Sequence, residues 1–325
     1  MRRRGVLHIG VAGLAGMLVQ ACAGESNAPD VKGGAAPGSS GAVQPSSTFD
    51  PSVYVPVPVP VAELKKLFNY DAKATLNAQL TDKRTGDGVI LEDITYSDTR
   101  GREEIPAYVV GPEKFTGRLP AVVYAHGSDG NRDTLLNEAM AVARLGVLVF
   151  VPELPLKPSG DPVADSKVVA DSVVALRRGF DLLIRRTDCD GSRAGFAGHS
   201  WGAVLGAVLY GVDSRITASV LASGTSRISR WMVRQPPVPA DWHAYLDALS
   251  RFDATPYVAV TGRKPVLLQF GKQDTVIPEA ERAELANGVA GPKERKDYDT
   301  GHDLVGFDAA SADRVAFLRK QLRLK

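Results

Sequence analysis

The chain has 325 residues, 44% of them hydrophobic and 23% charged, so it can bury a sizeable core and is not disordered throughout. Its formal net charge is +2, which becomes −1 when the three arginines at positions 2–4 are removed. Neither value indicates a protein that binds nucleic acid through a strongly basic surface.

The first 21 residues have the organisation of an export signal. A basic start, MRRR, precedes the apolar run VLHIGVAGLAGMLV, which is shorter than the roughly 20 residues that span a bilayer. The next four residues, VQAC, resemble the bacterial lipobox, in which the cysteine is lipidated after cleavage in front of it. We predict a lipoprotein signal peptide at 1–21 and a lipid anchor on Cys22. The exported protein would then lie on the periplasmic or cell-surface side of a bacterial membrane.

Two other interpretations of this region stay open. One is ordinary secretion with a coincidental cysteine. The other is suggested by Arg3 and Arg4, which loosely resemble a twin-arginine signal and would imply export in a folded state.

The chain contains two cysteines, Cys22 and Cys189. If Cys22 is acylated, Cys189 has no partner within the chain and no disulfide is expected. Cys189 lies in a predicted connection before a strand, without a neighbouring histidine or cysteine, so we expect an ordinary thiol. No metal site, dinucleotide-binding motif or phosphate-binding loop is recognisable, and no cofactor is expected.

Residues 22–52 are rich in Gly, Pro, Ser and Ala, which predicts a flexible linker. The following VYVPVPVPV, residues 53–61, carries alternating prolines that remove amide donors, so it is expected to be extended but outside a sheet. We favour docking of this segment on its own domain. A proline-rich ligand for a partner protein is the alternative.

Residues 53–325 are predicted to form one domain in which strands and helices alternate. Seven short apolar runs predict strands: VILEDITYS, EIPAYVVG, PAVVYAHG, VLVFVPEL, RAGFAGHS, ITASVLASG and PVLLQFG. One helix is marked by an apolar face of Val169, Val173, Leu176, Phe180 and Leu183. Another follows a candidate cap at Asp308. The alternation predicts an open, mostly parallel α/β sheet of about eight strands, with helices on both faces and a ligand site at the carboxyl ends of the strands.

The pentapeptide GHSWG, residues 198–202, lies between a predicted strand and a predicted helix. In that context Gly-x-Ser-x-Gly forms a sharp turn that exposes the serine, so Ser200 is a candidate nucleophile. The alternative is a hydroxyl in an ordinary tight turn.

Two later residues complete a pattern of nucleophile, acid and base. Asp274 follows the predicted strand PVLLQFG, and His302 lies in a loop further on. The order Ser, Asp, His is that of the α/β-hydrolase triad, in which histidine takes the serine proton and the carboxylate holds the histidine. Taken singly, Asp274 could be a turn residue and His302 a surface histidine. Glu153, after VLVFVP, is a competing acid.

Backbone amides are expected to stabilise the oxyanion. The candidates are the amide of Trp201, directly after the nucleophile, and that of Ser128 in the loop HGSDG. His126 and His199 are expected to have structural roles. The Trp201 ring could either line an acyl pocket or simply pack.

The region from about residue 62 to 325 resembles serine-dependent α/β-hydrolases of the dienelactone hydrolase family. The matching pieces are YSDTRGREEIPAYVVGP, LPAVVYAHGSDG, FAGHSWGA, PVLLQFGKQDTVIP and DTGH. Dienelactone hydrolases proper carry a cysteine nucleophile where this chain has Ser200. The resemblance therefore implies the α/β-hydrolase fold and an activity nearer to carboxylesterases.

The predicted function is that of an extracytoplasmic serine hydrolase that cleaves small-molecule carboxylic esters through an acyl-enzyme. Alternatives are a peptidase or thioesterase with the same triad, and a non-catalytic binding lipoprotein. Residues 225–262 contain several aromatic side chains and could form a lid over the site, although an ordinary crossover helix is favoured. The sequence does not indicate the acyl group, the alcohol or the oligomeric state.

Overall fold

Nine strands form one sheet in the part of the chain that the computed structural model describes, residues 49–260 and 264–324. They are β1 (Gln79–Gly86), β2 (Val89–Tyr96), β3 (Ile105–Pro112), β4 (Leu119–Ala125), β5 (Leu148–Pro152), β6 (Cys189–His199), β7 (Ile216–Ala222), β8 (Val266–Gly271) and β9 (Lys293–Tyr298). Their order is β1-β2-β3-β5-β4-β6-β7-β8-β9. The pairs β1/β2, β2/β3 and β3/β5 are antiparallel, and the pairs from β5 to β9 are parallel. The predicted mostly parallel sheet is confirmed, with nine strands where about eight were expected.

The helices of the described residues are α1 (Val61–Lys66), α2 (Leu136–Arg144), α3 (Pro162–Arg185), α4 (Trp201–Val212), α5 (Ile228–Met232), α6 (Trp242–Leu249), α7 (Thr255–Val258), α8 (Glu279–Gly288) and α9 (Asp308–Gln321). They lie on both faces of the sheet, as the alternation of residues along β4 illustrates. Ala121 and Val123 belong to one buried apolar cluster, which includes residues of α3 and α4. Val122 and Tyr124 belong to a second cluster, with residues of α2 and α9. Successive side chains of a strand point to opposite faces, so the central strands are apolar on both sides.

Helix α3 has the apolar face that the sequence predicts, and all five of its predicted face residues are fully buried. Its start is fixed by Asp161, whose side chain accepts a hydrogen bond from the Ala164 amide, and by Pro162 at the first helical position. The start of α3 is therefore fixed, and the helix covers the centre of the sheet.

Two local predictions are wrong. Asp308 is the first residue of α9 rather than its cap, because Phe307 holds the cap position and no side chain caps the helix. The Asp308 carboxylate can still favour the helix through its position in the first turn. Cys189 is the first residue of β6 rather than part of the preceding connection, and it is buried. Burial raises the pKa of its thiol to about 11.

The extended segment at residues 53–60, here called the strap, lies on the domain surface. Tyr54 donates a hydrogen bond to Asp247 of α6, and Arg230 of α5 donates to the carbonyls of Ser52 and Tyr54 at 2.9 and 3.2 Å. Val53, Val55 and Val57 face outward and are exposed. The strap is thus docked on its own domain, the interpretation that the sequence favours.

Residues just before the predicted domain boundary at Val53 also contact the domain. The Phe49 ring packs edge-on against Trp242, with 5.7 Å between ring centroids, and Pro51 is buried. Residues 49–52, predicted as the end of the linker, therefore belong to the domain. The predicted signal peptide, Cys22 and the rest of the linker lie outside the described residues. Among the described helices, none combines the length and apolar character needed to span a bilayer.

Candidate active site

Ser200 occupies a sharp turn between β6 and α4. Its φ of 53° and ψ of −115° are rare for a residue other than glycine and indicate backbone strain. The turn is held from both sides, because the Ser200 amide donates to the Ala222 carbonyl at 2.8 Å and the Gly202 amide donates to the His126 carbonyl at 3.0 Å. The serine is therefore fixed at the carboxyl ends of the central strands.

The two glycines of the pentapeptide are required by space. A β-carbon on Gly202 would lie 2.0 Å from the Ala125 carbonyl oxygen, and one on Gly198 would lie 2.3 Å from the Gly202 carbonyl oxygen. No side chain can be accommodated at such distances. Strand β6, helix α4 and strand β4 can approach closely only because both positions are glycine.

The structure brings the three residues of the predicted triad into one hydrogen-bonded chain. Ser200 Oγ lies 2.9 Å from His302 Nε2, and His302 Nδ1 lies 2.9 Å from Asp274 Oδ2. The separations fit donation from serine to histidine and from histidine to carboxylate. A hydroxyl in an ordinary tight turn would not require this arrangement.

Asp274 follows β8 and is held as a carboxylate by its surroundings. Burial by itself would raise its pKa, but the hydrogen bond from His302 and those from the amides of Val276 and Ile277 lower it below the ordinary value. The two amides donate to Oδ1 at 2.8 and 3.0 Å, which leaves Oδ2 for His302. Asp274 therefore remains ionised near neutral pH and orients the imidazole.

Glu153, the competing acid, lies elsewhere. Its backbone amide donates to Pro106, and its carboxylate is 3.9 Å from Arg132. The His302 nitrogen that would donate a hydrogen bond to the acid is Nδ1, and this nitrogen is bonded to Asp274. The geometry thus favours Asp274 for the carboxylate position.

The main chain of His302 is anchored by a residue that the sequence patterns did not single out. Ser223, directly after β7, donates its hydroxyl hydrogen to the His302 carbonyl at 2.6 Å. His199 Nε2 lies 3.2 Å from the same oxygen, and burial lowers the pKa of His199 to about 4, so its ring is neutral near pH 7. In the sequence, Ser223 could have been found because it is a small polar residue at the carboxyl end of a predicted parallel strand.

His126 connects two loops at the same edge of the sheet. Its Nε2 accepts a hydrogen bond from the Leu154 amide at 2.9 Å, and its Nδ1 lies 2.7 Å from the Gly127 carbonyl. Burial lowers the pKa of His126, which favours the neutral ring that this pattern requires. Both His126 and His199 thus hold backbone, in agreement with the structural roles expected for them.

The two amides predicted to bind an oxyanion, those of Ser128 and Trp201, belong to residues that line a small pocket with Ser200. In the described part of the chain neither amide donates to a protein acceptor. The Trp201 ring is buried, and its Nε1 donates to the Leu154 carbonyl at 3.1 Å. Trp201 therefore both packs and contributes to the pocket wall.

A wide cleft of about 910 Å³ adjoins the small pocket and reaches Ser200, His302 and Ser128. Another cleft, of about 680 Å³, lies between the strap and α6, and none of the predicted site residues lines it. The site of interest is therefore the pair of cavities that meet at Ser200.

The crossover segment, residues 225–260 of the described chain, is packed rather than laid over the site. Tyr245, Leu246 and Leu249 of α6 are fully buried, and Tyr245 donates a hydrogen bond to Asp165 at 2.6 Å. This is the behaviour of the favoured crossover helix. Trp231 of α5, half-buried, lines both cavities at Ser200 and so forms a wall of the site.

No group of three or more His, Cys, Asp or Glu side chains within residues 49–260 and 264–324 is arranged to hold a metal ion.

No protein-family model matches the chain. It is 33% identical over 79 residues to the "Putative hydrolase fragment YghX" of Escherichia coli (strain K12), a match that covers 24% of this chain and 68% of that protein. The chain belongs to the same family of hydrolases. For most of the hydrolase's length, however, this match gives no information, and similarity to solved structures extends further.

Two solved structures illustrate that similarity. The hydrolase superposes on the acetyl xylan esterase from Paenibacillus sp. R4 with a TM-score of 0.65 and 20% identity, covering 81% of this chain and all of that one. It also superposes on the "Putative Dienelactone Hydrolase" from Klebsiella pneumoniae subsp. pneumoniae MGH 78578 with a TM-score of 0.55 and 19% identity, covering 73% of this chain and 99% of that one. At these identities the similarity establishes the fold, which is the predicted α/β-hydrolase fold.

Proposed function

We propose that this hydrolase cleaves carboxylic esters through an acyl-enzyme formed on Ser200. The observation that carries the proposal is the hydrogen-bonded chain from Ser200 Oγ through His302 to Asp274, set on a strained turn at the carboxyl ends of parallel strands. The name of one structural neighbour, the acetyl xylan esterase from Paenibacillus sp. R4, supports ester cleavage.

The first half of the reaction forms the acyl-enzyme. His302 Nε2 takes the proton from Ser200 Oγ as that oxygen attacks the ester carbonyl carbon, and the amides of Ser128 and Trp201 donate to the resulting oxyanion. When the intermediate collapses, His302 returns the proton to the departing alkoxide. The alcohol leaves and the acyl group stays on Ser200.

The second half returns the free enzyme. A water molecule attacks the acyl carbonyl and gives a proton to His302, and the carboxylic acid departs as Ser200 recovers its proton. Asp274 stays ionised throughout because its hydrogen bonds lower its pKa, so it stabilises the imidazolium that forms twice per cycle. The same groups could cleave a thioester or an amide, and only substrates separate these reactions.

The location proposed for the enzyme is the outer side of a bacterial membrane, with Cys22 as the lipid anchor. Support for this comes from the sequence of residues 1–22, which lies outside the described structure.

The nucleophile can be tested with a fluorophosphonate probe, which labels activated serines. We expect wild-type protein to be labelled and Ser200→Ala to be unlabelled. The matched control is Ser192→Ala, because Ser192 lies on the same strand but is exposed, and its hydroxyl donates a hydrogen bond to Asp190. Equal labelling of Ser200→Ala and wild type would contradict the proposal. A panel of aryl esters, acyl thioesters and peptide amides then identifies the bond that is cleaved.

A further inference from the structure

The two cavities that meet at Ser200 differ in size and in whether they contain the base. The wide cleft of about 910 Å³ is lined by His302 as well as Ser200. The small pocket is lined by Ser200 and by the two residues with the proposed oxyanion amides, but not by His302. This asymmetry assigns the two halves of an ester to different cavities.

The assignment follows from where protons must travel in the proposed reaction, on which this inference rests. His302 gives its proton to the departing alkoxide, so the alcohol must lie on the His302 side of Ser200. The acyl carbon is bonded to Ser200 and its oxygen points at the amides of Ser128 and Trp201, so the acyl chain extends to the other side. The wide cleft therefore receives the alcohol and the small pocket receives the acyl group.

The small pocket has space for only a small acyl group. Its free volume is about 10 Å³, which is roughly the space that one water molecule needs. A methyl group is of similar size. Its apolar walls come from the side chains of Trp201, Val204, Ile228, Trp231 and Ile277.

The walls of this pocket are also held in place. The Ser223 hydroxyl is bonded to the His302 carbonyl, and the Thr225 hydroxyl donates to the buried carboxyl of Glu281. Trp201 is fixed by its bond to the Leu154 carbonyl. Because these three side chains are buried and hydrogen-bonded, enlarging the pocket on their side for a longer acyl chain would break contacts.

The wide cleft has a different character. Its lining includes charged side chains of both signs, among them Asp129, Lys157, Arg234 and Asp303, and backbone of the loop that follows β4. The side chains of Lys157 and Arg234 are exposed, and neither forms a hydrogen bond or ion pair with another described residue. A cleft of this size and polarity suits a large, polar alcohol.

We propose that the substrate is a short-chain ester, an acetyl ester above all, of a large polar alcohol. Acyl chains of four or more carbons fit poorly in the pocket beside Ser200, and the alcohol occupies the cleft beside His302.

The acyl half is tested with p-nitrophenyl acetate, butyrate and octanoate, which share one leaving group. We expect kcat/KM to fall by about tenfold or more from acetate to butyrate, because forcing extra methylenes into a packed pocket is unfavourable. Ile228→Ala and Trp231→Ala should each raise the ratio of butyrate to acetate kcat/KM. The matched control is Val238→Ala, since Val238 lies in the same crossover segment but is exposed and lines neither cavity.

The alcohol half is tested by comparing acetylated glucose with ethyl acetate. We expect acetylated glucose to be the better substrate, and Lys157→Trp, which narrows the cleft, to lower the ratio of the two kcat/KM values. If Lys157→Trp leaves the ratio of the two kcat/KM values unchanged, the cleft does not bind the alcohol.

The outcomes separate this inference from the proposed function. Wild-type enzyme that cleaves butyrate and octanoate as fast as acetate would overturn the acyl assignment while leaving an esterase. Protein that cleaves none of these esters and takes no fluorophosphonate would remove the proposed function, and this inference with it. The wild-type series decides the acyl question even if a variant fails to fold.

Discussion

The Ser223 hydroxyl is bonded to the His302 carbonyl at 2.6 Å, which ties the end of β7 to the loop that carries the proposed base. Strand β7 lies between β6, which leads to Ser200, and β8, which leads to Asp274. Ser223 thus sits between the nucleophile and the acid and holds the third member of the proposed triad from its main chain. Its φ of 54° is unusual for serine, which indicates that the position is held by its contacts.

We expect Ser223→Gly to lower kcat more than it changes KM, because the His302 loop loses its anchor. Glycine is chosen because it tolerates a positive φ, so folding stability should not fall through added strain. A loss of activity of about tenfold to a hundredfold is expected from a misplacement of this kind. The measurements are the pH dependence of kcat and thermal unfolding.

The matched control for this variant is Ser219→Ala. Ser219 lies on the same strand, is fully buried, and its hydroxyl has no partner among the described residues. Full activity in Ser223→Gly, or an equal loss in Ser219→Ala, would show that Ser223 has no positioning role.

Ser200 and His302 are expected to act as a unit. Ser200→Ala and His302→Ala should each abolish ester turnover, and the double variant should be little worse than either alone, because removing one partner already disables the other. The measurement is kcat for the three variants on one ester. Additive losses would indicate that the two residues contribute independently.

Asp274→Asn should lower kcat by about three to four orders of magnitude, since asparagine cannot hold the histidine tautomer that accepts the serine proton. Glu153→Gln should have a much smaller effect. Folding of both variants is checked by circular dichroism and kcat is measured on the same ester. The reverse ranking would transfer the role of the acid to Glu153.

Folding stability should depend on pH through Asp253, which is buried and lies just before α7 in the chain. Burial raises its pKa from 3.8 to about 7, against hydrogen bonds from Ser229 that lower it. A raised carboxyl pKa means that the protonated form favours folding. This contribution is complete below pH 3.8 and is lost as the pH rises through about 7.

Asp253→Asn should therefore gain stability relative to wild type as the pH rises from 5 to 8. Thermal unfolding of both proteins across this pH range gives the difference in their stability. The contributions of titratable groups that both proteins share cancel in this difference. The exposed Asp82→Asn serves as control and should show no such trend. A difference between Asp253→Asn and wild type that stays constant with pH would contradict the assignment.

The location is tested with full-length protein and Cys22→Ser expressed in a bacterium. If Cys22 is lipidated, wild-type protein should be found with membranes and Cys22→Ser in the soluble fraction, because several acyl chains give durable attachment. Mass spectrometry of the mature N-terminus decides whether cleavage occurs before Cys22. An unlipidated, soluble wild-type product would leave the esterase proposal intact.

The sequence predicted the interior of the sheet well and its borders poorly. All seven predicted strands are present, and most of them are continuous apolar runs because they are covered on both faces. The two strands that the patterns missed, β1 and β9, have the sequences QLTDKRTG and KERKDY, in which no apolar alternation is visible. They are strands because a neighbour offers backbone hydrogen bonds, and this information is not local.

The candidate site divides in the same way. The positions of Ser200, Asp274 and His302 follow from motif order and strand ends, which one sequence reveals. The role of Ser223 depends on a contact with a residue 79 positions away. The sizes of the two cavities depend on packing between α5, α4 and the loop after β8. No local pattern in the sequence encodes these sizes.

The strands β1 and β9 also form the two open edges of the sheet, and both are rich in charge of both signs. Unpaired strand edges are places where copies of a protein can join into a continuous sheet, and charged side chains along them oppose this. A protein confined to a membrane by a lipid meets its copies in two dimensions, at far higher local density than in free solution. If the enzyme is anchored through Cys22, its charged borders would let it accumulate on such a surface without its sheets fusing.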